Sequence, residues 1–471
     1  MKTALLIDFG STYTKLRAVD LDGARILGAG QGPSTVATDI TVGMTKALAD
    51  LEAHMGRLPA FTYRLASSSA AGGLRMVTVG LVKELTAEAA RRAALGAGAR
   101  LVGTFAYRLT RGDVRRIEEL APDILLLAGG TDGGNADVVL HNAQMLGASA
   151  IACPVVYAGN RAAADDAAES LRVKTLMVTE NVMPEFNVLN IEPARAAIRQ
   201  VFIDRIVHAK GIDRAQSMFD AVLMPTPAAV MEGARLLADG CEGHAGLGAL
   251  LVVDPGGATT DVHSVCEGAP SQPGVIPHGL PEARVKRTVE GDLGMRHNAQ
   301  AIADAAGLPA LAADAGLDAA TAGRLIGVLA RDVERLPQSA AEAALDRALG
   351  RAAIRLAVQR HAGTVETVFT VQGPAQVQHG KDLSEVATVI GTGGVLVHSD
   401  DPGAILATAL ADPADPGSLR PRAPRLMLDR DYFLYACGLL AQVEPVCAFR
   451  LATAGLAPLD QETRHERTAR A

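Results

Sequence analysis

Two stretches decide the fold: LIDFGSTYTK at residues 6–15 and VVDPGGATTD at residues 252–261. In each, apolar residues lead into an aspartate, Asp8 or Asp254, and a glycine follows two positions later, Gly10 or Gly256. At the same offset Ser11 matches Gly257 and Thr14 matches Thr260. Around the first copy the chain reads as a meander of three strands over residues 4–30. ALLI runs to Asp8, FGST turns, and YTKLRAVD alternates so that Leu16 and Ala18 oppose Lys15 and Arg17. Asp22-Gly23 supplies the next hairpin turn, since glycine tolerates positive φ. The glycine turn therefore joins strand to strand. A P-loop or a dinucleotide fingerprint joins strand to helix, and neither GxxxxGK followed by Ser or Thr nor GxGxxG occurs in the chain.

Each copy sets one carboxylate at a strand end and a tight turn directly after it. Two such hairpins facing a cleft would offer backbone N–H groups and hydroxyls to a polyphosphate. The candidates are Gly10, Ser11 and Thr12 in the first copy and Gly256, Gly257, Ala258 and Thr259 in the second. Asp8 and Asp254 suit a hydrated Mg²⁺, which prefers oxygen ligands and keeps several waters. Lys15 is a candidate for a β or γ phosphoryl oxygen. Either copy alone is ordinary Asp-x-Gly turn chemistry; the matching pair is what points to a nucleotide. A third cluster, Gly391, Gly393 and Gly394 in VIGTGGVLV, would let an adenine or ribose lie close to backbone, and equally suits a tight strand-to-helix turn. Glu290 and Asp292 in VEGDLGM are candidates to orient a water at the γ-phosphoryl group, or else pair as loop carboxylates with Arg284, Lys286 or Arg287.

The remaining chain sets the context. Its 471 residues suggest about two to four domains. With 49% hydrophobic and 21% charged residues the composition is globular. A net charge of −7, no Trp and 3% aromatics argue against a basic, ring-lined nucleic-acid groove. No apolar run approaches the ~20 residues of a membrane helix, and MKTALLIDFG meets Asp8 too early for a signal peptide. A cytoplasmic protein with no membrane partner is expected. The five cysteines include no CxxC pair, so free thiols are expected, without an iron–sulfur or zinc site in one chain.

From Met76 to Thr179 the runs MVTVG, ARLVGTF, DILLLAG, IACPVVYAG and TLMVTE alternate with helical stretches, which predicts a doubly wound parallel sheet inserted into something larger. Residues 181–245 read as mainly helical, 299–362 as Ala-rich helix, and the end as a helix pair. The expected division is 1–60 with 181–245 as a first lobe, 61–180 as the inserted α/β unit, 246–400 as a second lobe and 401–471 as a C-terminal helical segment. In AGGTDGGN, residues Gly129–Asn135 end a strand and open a helix, which fits an anion site, a plain turn capped by Asn135 or Asp132, or a partner surface. His263 reads as a satisfied core or surface histidine, Cys437 and Cys447 as core.

The order of first hairpin, second hairpin and late glycine loop resembles the actin, Hsp70 and sugar-kinase superfamily. That resemblance implies an α/β, two-lobed actin-like ATPase fold with ribonuclease-H-like lobes closing over Mg-ATP. It implies Asp8 and Asp254 as metal-organising aspartates, Gly10–Thr12 and Gly256–Thr259 as phosphate hairpins, and Gly391–Gly394 as the nucleoside loop. Pro255 departs from the pattern, where a bulky aliphatic is usual, and removes one backbone donor. More narrowly, ILLLAGGTDGGN, TENVMPEFNVLNIEPAR, DPGGATTDVHSV, VKRTVEGDLGMR and DRDYFLYACGLL resemble the glutamate mutase (methylaspartate mutase) accessory protein family, the L component. This implies an ATP- and ADP-binding, slowly hydrolysing, chaperone-like reactivating factor, with a cobalamin-dependent amino-acid mutase as partner and Mg²⁺ as cofactor. Cobalamin would stay with that partner, since no DxHxxG motif occurs here.

Other readings of the same scaffold stay open. A small-molecule kinase needs a base near its acceptor hydroxyl, and none is convincing. A filament-forming protein would self-associate under ATP, so a homo-oligomer stays open. An activator of acyl-CoA dehydratases would need Cys153 or Cys241 to hold an iron–sulfur cluster, and neither has suitable glycine-rich surroundings.

Overall fold

Continuous apolar runs become strands buried on both faces, and alternating runs become strands with one wet face. The computed structural model describes residues 2–10, 13–35, 39–68, 74–204, 218–371 and 373–459. The chain divides into two units. One comprises Met1–Gly233, Gly279–Pro281 and Leu434–Leu451; the other comprises Ala234–His278, Glu282–Phe433 and Ala452–Ala471.

The first unit opens with β1 (Thr3–Phe9), β2 (Tyr13–Asp20) and β3 (Arg25–Pro33), an antiparallel meander in which Asp8 faces Lys15 across the pair. β1 is apolar except at its ends and wholly buried; β2 alternates, as its sequence requires. The helix Ile40–Met55, capped by the Asp39 carboxylate, lies against β3 so closely that a β-carbon on Gly30 would stand 2.5 Å from Ala47 O. β4 (Tyr63–Ser68) then pairs parallel to β1.

The chain next builds a separate parallel sheet from β5 (Leu74–Gly80), β6 (Ala99–Ala106), β7 (Ile124–Leu127), β8 (Val155–Tyr157) and β9 (Leu176–Val178), in the order β6-β5-β7-β8-β9. This is a flavodoxin-like order. Val77, Val79, Leu125, Leu127, Val155 and Tyr157 form its core with the crossover helices. β10 (Ala221–Pro225) returns to the first sheet beside β4, giving the order β10-β4-β1-β2-β3. Residues 181–245, expected to be mainly helical, therefore contain a strand. AVLMP is too short to show a period, and its pairing with β4 decides its state. The helix Leu434–Leu440 is fully buried and packs on β1 and β4. Its Gly438 backbone is in tight contact with Ala229 O.

The second unit carries a short hairpin, β11 (Gly240–Cys241) and β12 (His244–Ala245), then β13 (Leu250–Pro255), β14 (Thr260–Val265), β15 (Val275–His278) and β16 (Val285–Glu290). After the helices Ala299–Ala306, Leu308–Asp314, Ala319–Arg331 and Ala340–His361 come β17 (Thr364–Thr370), β18 (Gly373–His379), β19 (Thr388–Gly391), β20 (Arg425–Asp429) and β21 (Leu456–Pro458). The main sheet runs β16-β14-β13-β19-β20-β21, with Leu251, Val253 and Val262 packed against Ile302, Ile326, Leu349 and Ile354.

Each unit thus contains the same five-strand pattern. Three antiparallel strands are followed by two that run parallel to the first: β1, β2, β3, β4 and β10 in one, β13, β14, β16, β19 and β20 in the other.

Candidate functional site

In the first unit, Gly10 N donates to Tyr13 O at 3.0 Å, and in the second Gly256 N donates to Thr259 O at 2.8 Å. The two turns are therefore built by the same bond at the same place in the same pattern. A β-carbon on Gly10 would stand 2.6 Å from Tyr13 O, so the first turn needs glycine there. Ser11 and Thr12 lie outside the described residues.

Asp8 is the penultimate residue of β1 and is almost completely buried. It accepts from Thr226 Oγ1 at 2.6 Å and from Ser67 Oγ at 3.4 Å. Burial raises its carboxyl above the ordinary carboxylate range, against the opposing pull of Lys15 and of the two hydroxyls. Thr226 follows β10 and Ser67 lies opposite Asp8 near the end of β4, so the two parallel strands supply hydroxyls to the aspartate of the first strand.

The second turn is organised by the segment after β16. Met295 N donates to Gly256 O at 3.0 Å, and Arg296 N and His297 N donate to Gly257 O at 2.9 and 3.0 Å. Asn298 Nδ2 donates to Ala258 O at 3.0 Å and to Gly291 O at 2.9 Å. The carbonyls of Gly256, Gly257 and Ala258 are thus all drawn to one side. The N–H groups of Gly257, Ala258 and Thr259 meet no acceptor among the described residues. Such a row of free donors is an anion-binding arrangement. Arg296 in turn grips Asp346 with both Nη atoms, at 2.8 and 2.7 Å, tying this segment to the helix Ala340–His361.

Beside the turn, Asp254 faces Asp261 across β13 and β14 as Asp8 faces Lys15. Opposed residues share one face of a sheet. Asp261 is held by Arg287, through Nε at 2.9 Å and Nη2 at 2.5 Å, and by Thr259 Oγ1 at 3.0 Å. The third glycine cluster lies in the same unit. Gly391 is packed against Leu396 and Leu406, Gly393 against Asp254 and Pro255, and Gly394 alone faces open space. Thr392 Oγ1 donates to Asp429 Oδ2 at 3.1 Å.

Glu290 ends β16 opposite Thr260. It pairs with Arg360 at 2.8 Å, and the same guanidinium binds Asp292 at 2.7 and 2.9 Å. Those bonds hold the Asp292 carboxyl below its ordinary range. The arginines and lysine nearby in sequence are engaged elsewhere: Arg284 with Asp239, Lys286 with Glu282, Arg287 with Asp261. His263 is buried on β14, and its Nδ1 has no partner among the described residues. Burial, aided by Arg287, holds its pKa down at about 3, so it stays neutral.

Sequence reasoning missed Asp261, Asn298, Thr226, Ser67 and Arg360. Asp261 alone had a signal, since it occupies the position of Lys15 in the repeat. The Gly129–Asn135 loop is closed on itself. Asn160 Oδ1 accepts from Gly133 N at 3.0 Å, Asn181 Nδ2 donates to Asp132 Oδ1 at 2.9 Å, and Asn135 Oδ1 accepts from Val138 N in the first turn of the following helix at 3.4 Å. Cys437 and Cys447 are buried, and all five cysteines are free thiols.

The doubled five-strand pattern, with an aspartate and a glycine turn at the end of each first strand, is that of an actin-like ATPase fold with ribonuclease-H-like sheets and an inserted doubly wound unit. Within that class the chain belongs to the MutL protein family, the L component of glutamate mutase: the family's model matches residues 4–456. It is 47% identical over 454 residues to Protein MutL of Clostridium tetanomorphum, covering 96% of this chain and 98% of that one. It is thus a homologue of that accessory component. Similar solved structures include component A of the (R)-2-hydroxyglutaryl-CoA dehydratase of Acidaminococcus fermentans (12% identity, 97% of this chain and 99% of that chain, TM-score 0.27). A glycerol dehydratase reactivase has 11% identity, 93% and 99% coverage and a TM-score of 0.34. The xylulose kinase of Bifidobacterium adolescentis has 11% identity, 97% and 94% coverage and a TM-score of 0.31. No helix among the described residues is long and apolar enough to cross a membrane.

Proposed function

We propose that the chain binds ATP and ADP with Mg²⁺ and serves as a reactivating accessory factor for a cobalamin-dependent amino-acid mutase of the glutamate mutase type. The observation that carries the nucleotide reading is the 256–259 turn, whose carbonyls are tied back by residues 295–298 while three N–H groups stay available. Those donors suit phosphate oxygens; in the first unit Gly10 would let a phosphate approach the turn that its own N–H closes, and Lys15 would offer its ammonium. Asp8 and Asp254 have the oxygen chemistry to hold the waters of a hydrated Mg²⁺, which when bound neutralises phosphate charge. Gly394, with no neighbour at its missing β-carbon, is where a nucleoside would approach backbone. Glu290, its carboxylate anchored by Arg360, would orient a water by hydrogen bonding.

A nucleotide bound more tightly in one conformation than another shifts the population between them. Differential affinity of ATP and ADP states for the mutase would then open the partner and release a damaged cofactor. Family membership supports this partner. Titration calorimetry tests the nucleotide step: one ATP or ADP per chain is expected, with affinity lost when Mg²⁺ is withheld and in Asp254→Ala. No affinity better than millimolar would overturn it. ATP turnover stimulated by the mutase would support the accessory role; phosphorylation of a sugar or carboxylate substrate would replace it with a kinase.

A further inference from the structure

The inserted parallel sheet ends in an open strand. β9 pairs with β8 on one side, and among the described residues no strand covers its other side. Val155 N donates to Thr175 O at 2.8 Å and Thr179 N to Tyr157 O at 2.9 Å, with Met177 in register with Val156. Backbone groups two residues apart in a strand point the same way, so Thr175, Met177 and Thr179 face β8 while Leu176 and Val178 face outward. Outward N–H and C=O groups are a template for another strand unless a protein blunts them.

The residues flanking this edge form a self-complementary set. Lys174 lies three residues before Met177 and Glu180 three after it. The Lys174 ammonium is fixed by two neutral carbonyls, Ser149 O and Ile151 O, both at 2.7 Å. The Glu180 carboxylate accepts from the neutral amide of Asn190 at 3.0 Å. Each charge is therefore held in place without a counter-charge. Val173 is 70% exposed and Val178 49%, and the turn closed by Val188 N donating to Glu185 O presents Phe186 at 69% exposure. Val173 and Val178 thus leave apolar surface in water on and beside the strand.

We propose that β9 is the dimerisation edge of this protein, pairing antiparallel with β9 of a second copy about a two-fold axis at Met177. In that register Leu176 of each copy lies opposite Val178 of the other, both with outward backbone groups, and four ladder bonds form. Lys174 lies opposite Glu180 of the other copy, twice, as an isologous interface demands. The flanking charges also reject other edges and out-of-register pairing.

Sedimentation of the full chain across the micromolar range tests this. A dimer is expected for the native sequence. Glu180→Lys places two lysines opposite each other, and Lys174→Glu two glutamates, so each variant alone should weaken the dimer by about tenfold or more. An equimolar mixture of the two variants should restore it, because each mixed pair is again lysine against glutamate. Val178→Pro removes an outward N–H and spares the bonds to β8, so it should give a monomer with nearly native melting. A native chain that stays monomeric overturns the proposal. So does a dimer that both charge variants leave intact, or one that their mixture fails to restore.

Discussion

Gly393 stands so close to Asp254 that a β-carbon on it would lie 2.7 Å from Oδ1 and 2.9 Å from Pro255 O, with φ at 94°. Two parallel neighbours, β13 and β19, bring the late glycine loop onto the aspartate of the second turn. Gly393→Ala should therefore cost about 1–3 kcal/mol in stability and displace the Asp254 carboxylate. Gly394→Ala should leave stability within about 0.5 kcal/mol and weaken nucleotide affinity alone. Denaturant titration beside calorimetry separates the two.

Asn298 holds Ala258 O with one amide and so keeps the turn's N–H groups free. Asn298→Asp retains the shape, loses both donors and puts negative charge beside an anion site. We expect nucleotide affinity to fall by roughly tenfold or more, about 1.4 kcal/mol. Unchanged affinity in calorimetry would remove the turn from the binding site.

Asp8 gains hydroxyl partners but is buried as a carboxyl whose charge is disfavoured by that burial. Asp8→Asn keeps an acceptor for Thr226 and abolishes the charge. Thermal melting at neutral pH should show a protein more stable by about 1 kcal/mol, while calorimetry shows Mg-dependent nucleotide affinity lost. Opposite signs in the two measurements would mark a residue kept for binding at the expense of stability.

His263 sets a pH dependence. Its folded pKa of about 3 lies below the ordinary 6.5, so the unfolded chain binds the proton more readily. The stability tied to the neutral ring is present above about 6.5 and is lost as pH falls toward 3. Between pH 7 and pH 5 the native chain should lose about 2 kcal/mol that His263→Leu does not lose. Urea denaturation at both pH values reads the difference.

The elements that sequence reading located are those made by neighbours in the chain. The turn at Gly10 is closed by Tyr13, and the turn at Gly256 by Thr259, so a short motif carries the whole instruction. The runs that became β5, β7 and β8 are apolar because both faces are covered, and glycine, helix-forming or polar segments punctuate them. β10 was illegible because AVLMP has no period and acquires its state from β4. Arg360 was illegible as the partner of Glu290 because the helix carrying it had first to be laid beside β14 and β16, where His361 bridges Ser264 and Thr288.

Composition, turn chemistry and the repeated aspartate-glycine pattern were enough to settle an α/β protein with two matched hairpins, because backbone preferences act over a few residues. Which way the second hairpin's donors point was settled by residues 295–298 reaching back across the sheet end, and which glycine remains open was settled by Asp254, Pro255 and Leu396 filling the space at the other two. Such contacts depend on strand order and packing, and a linear pattern of residues holds no record of either.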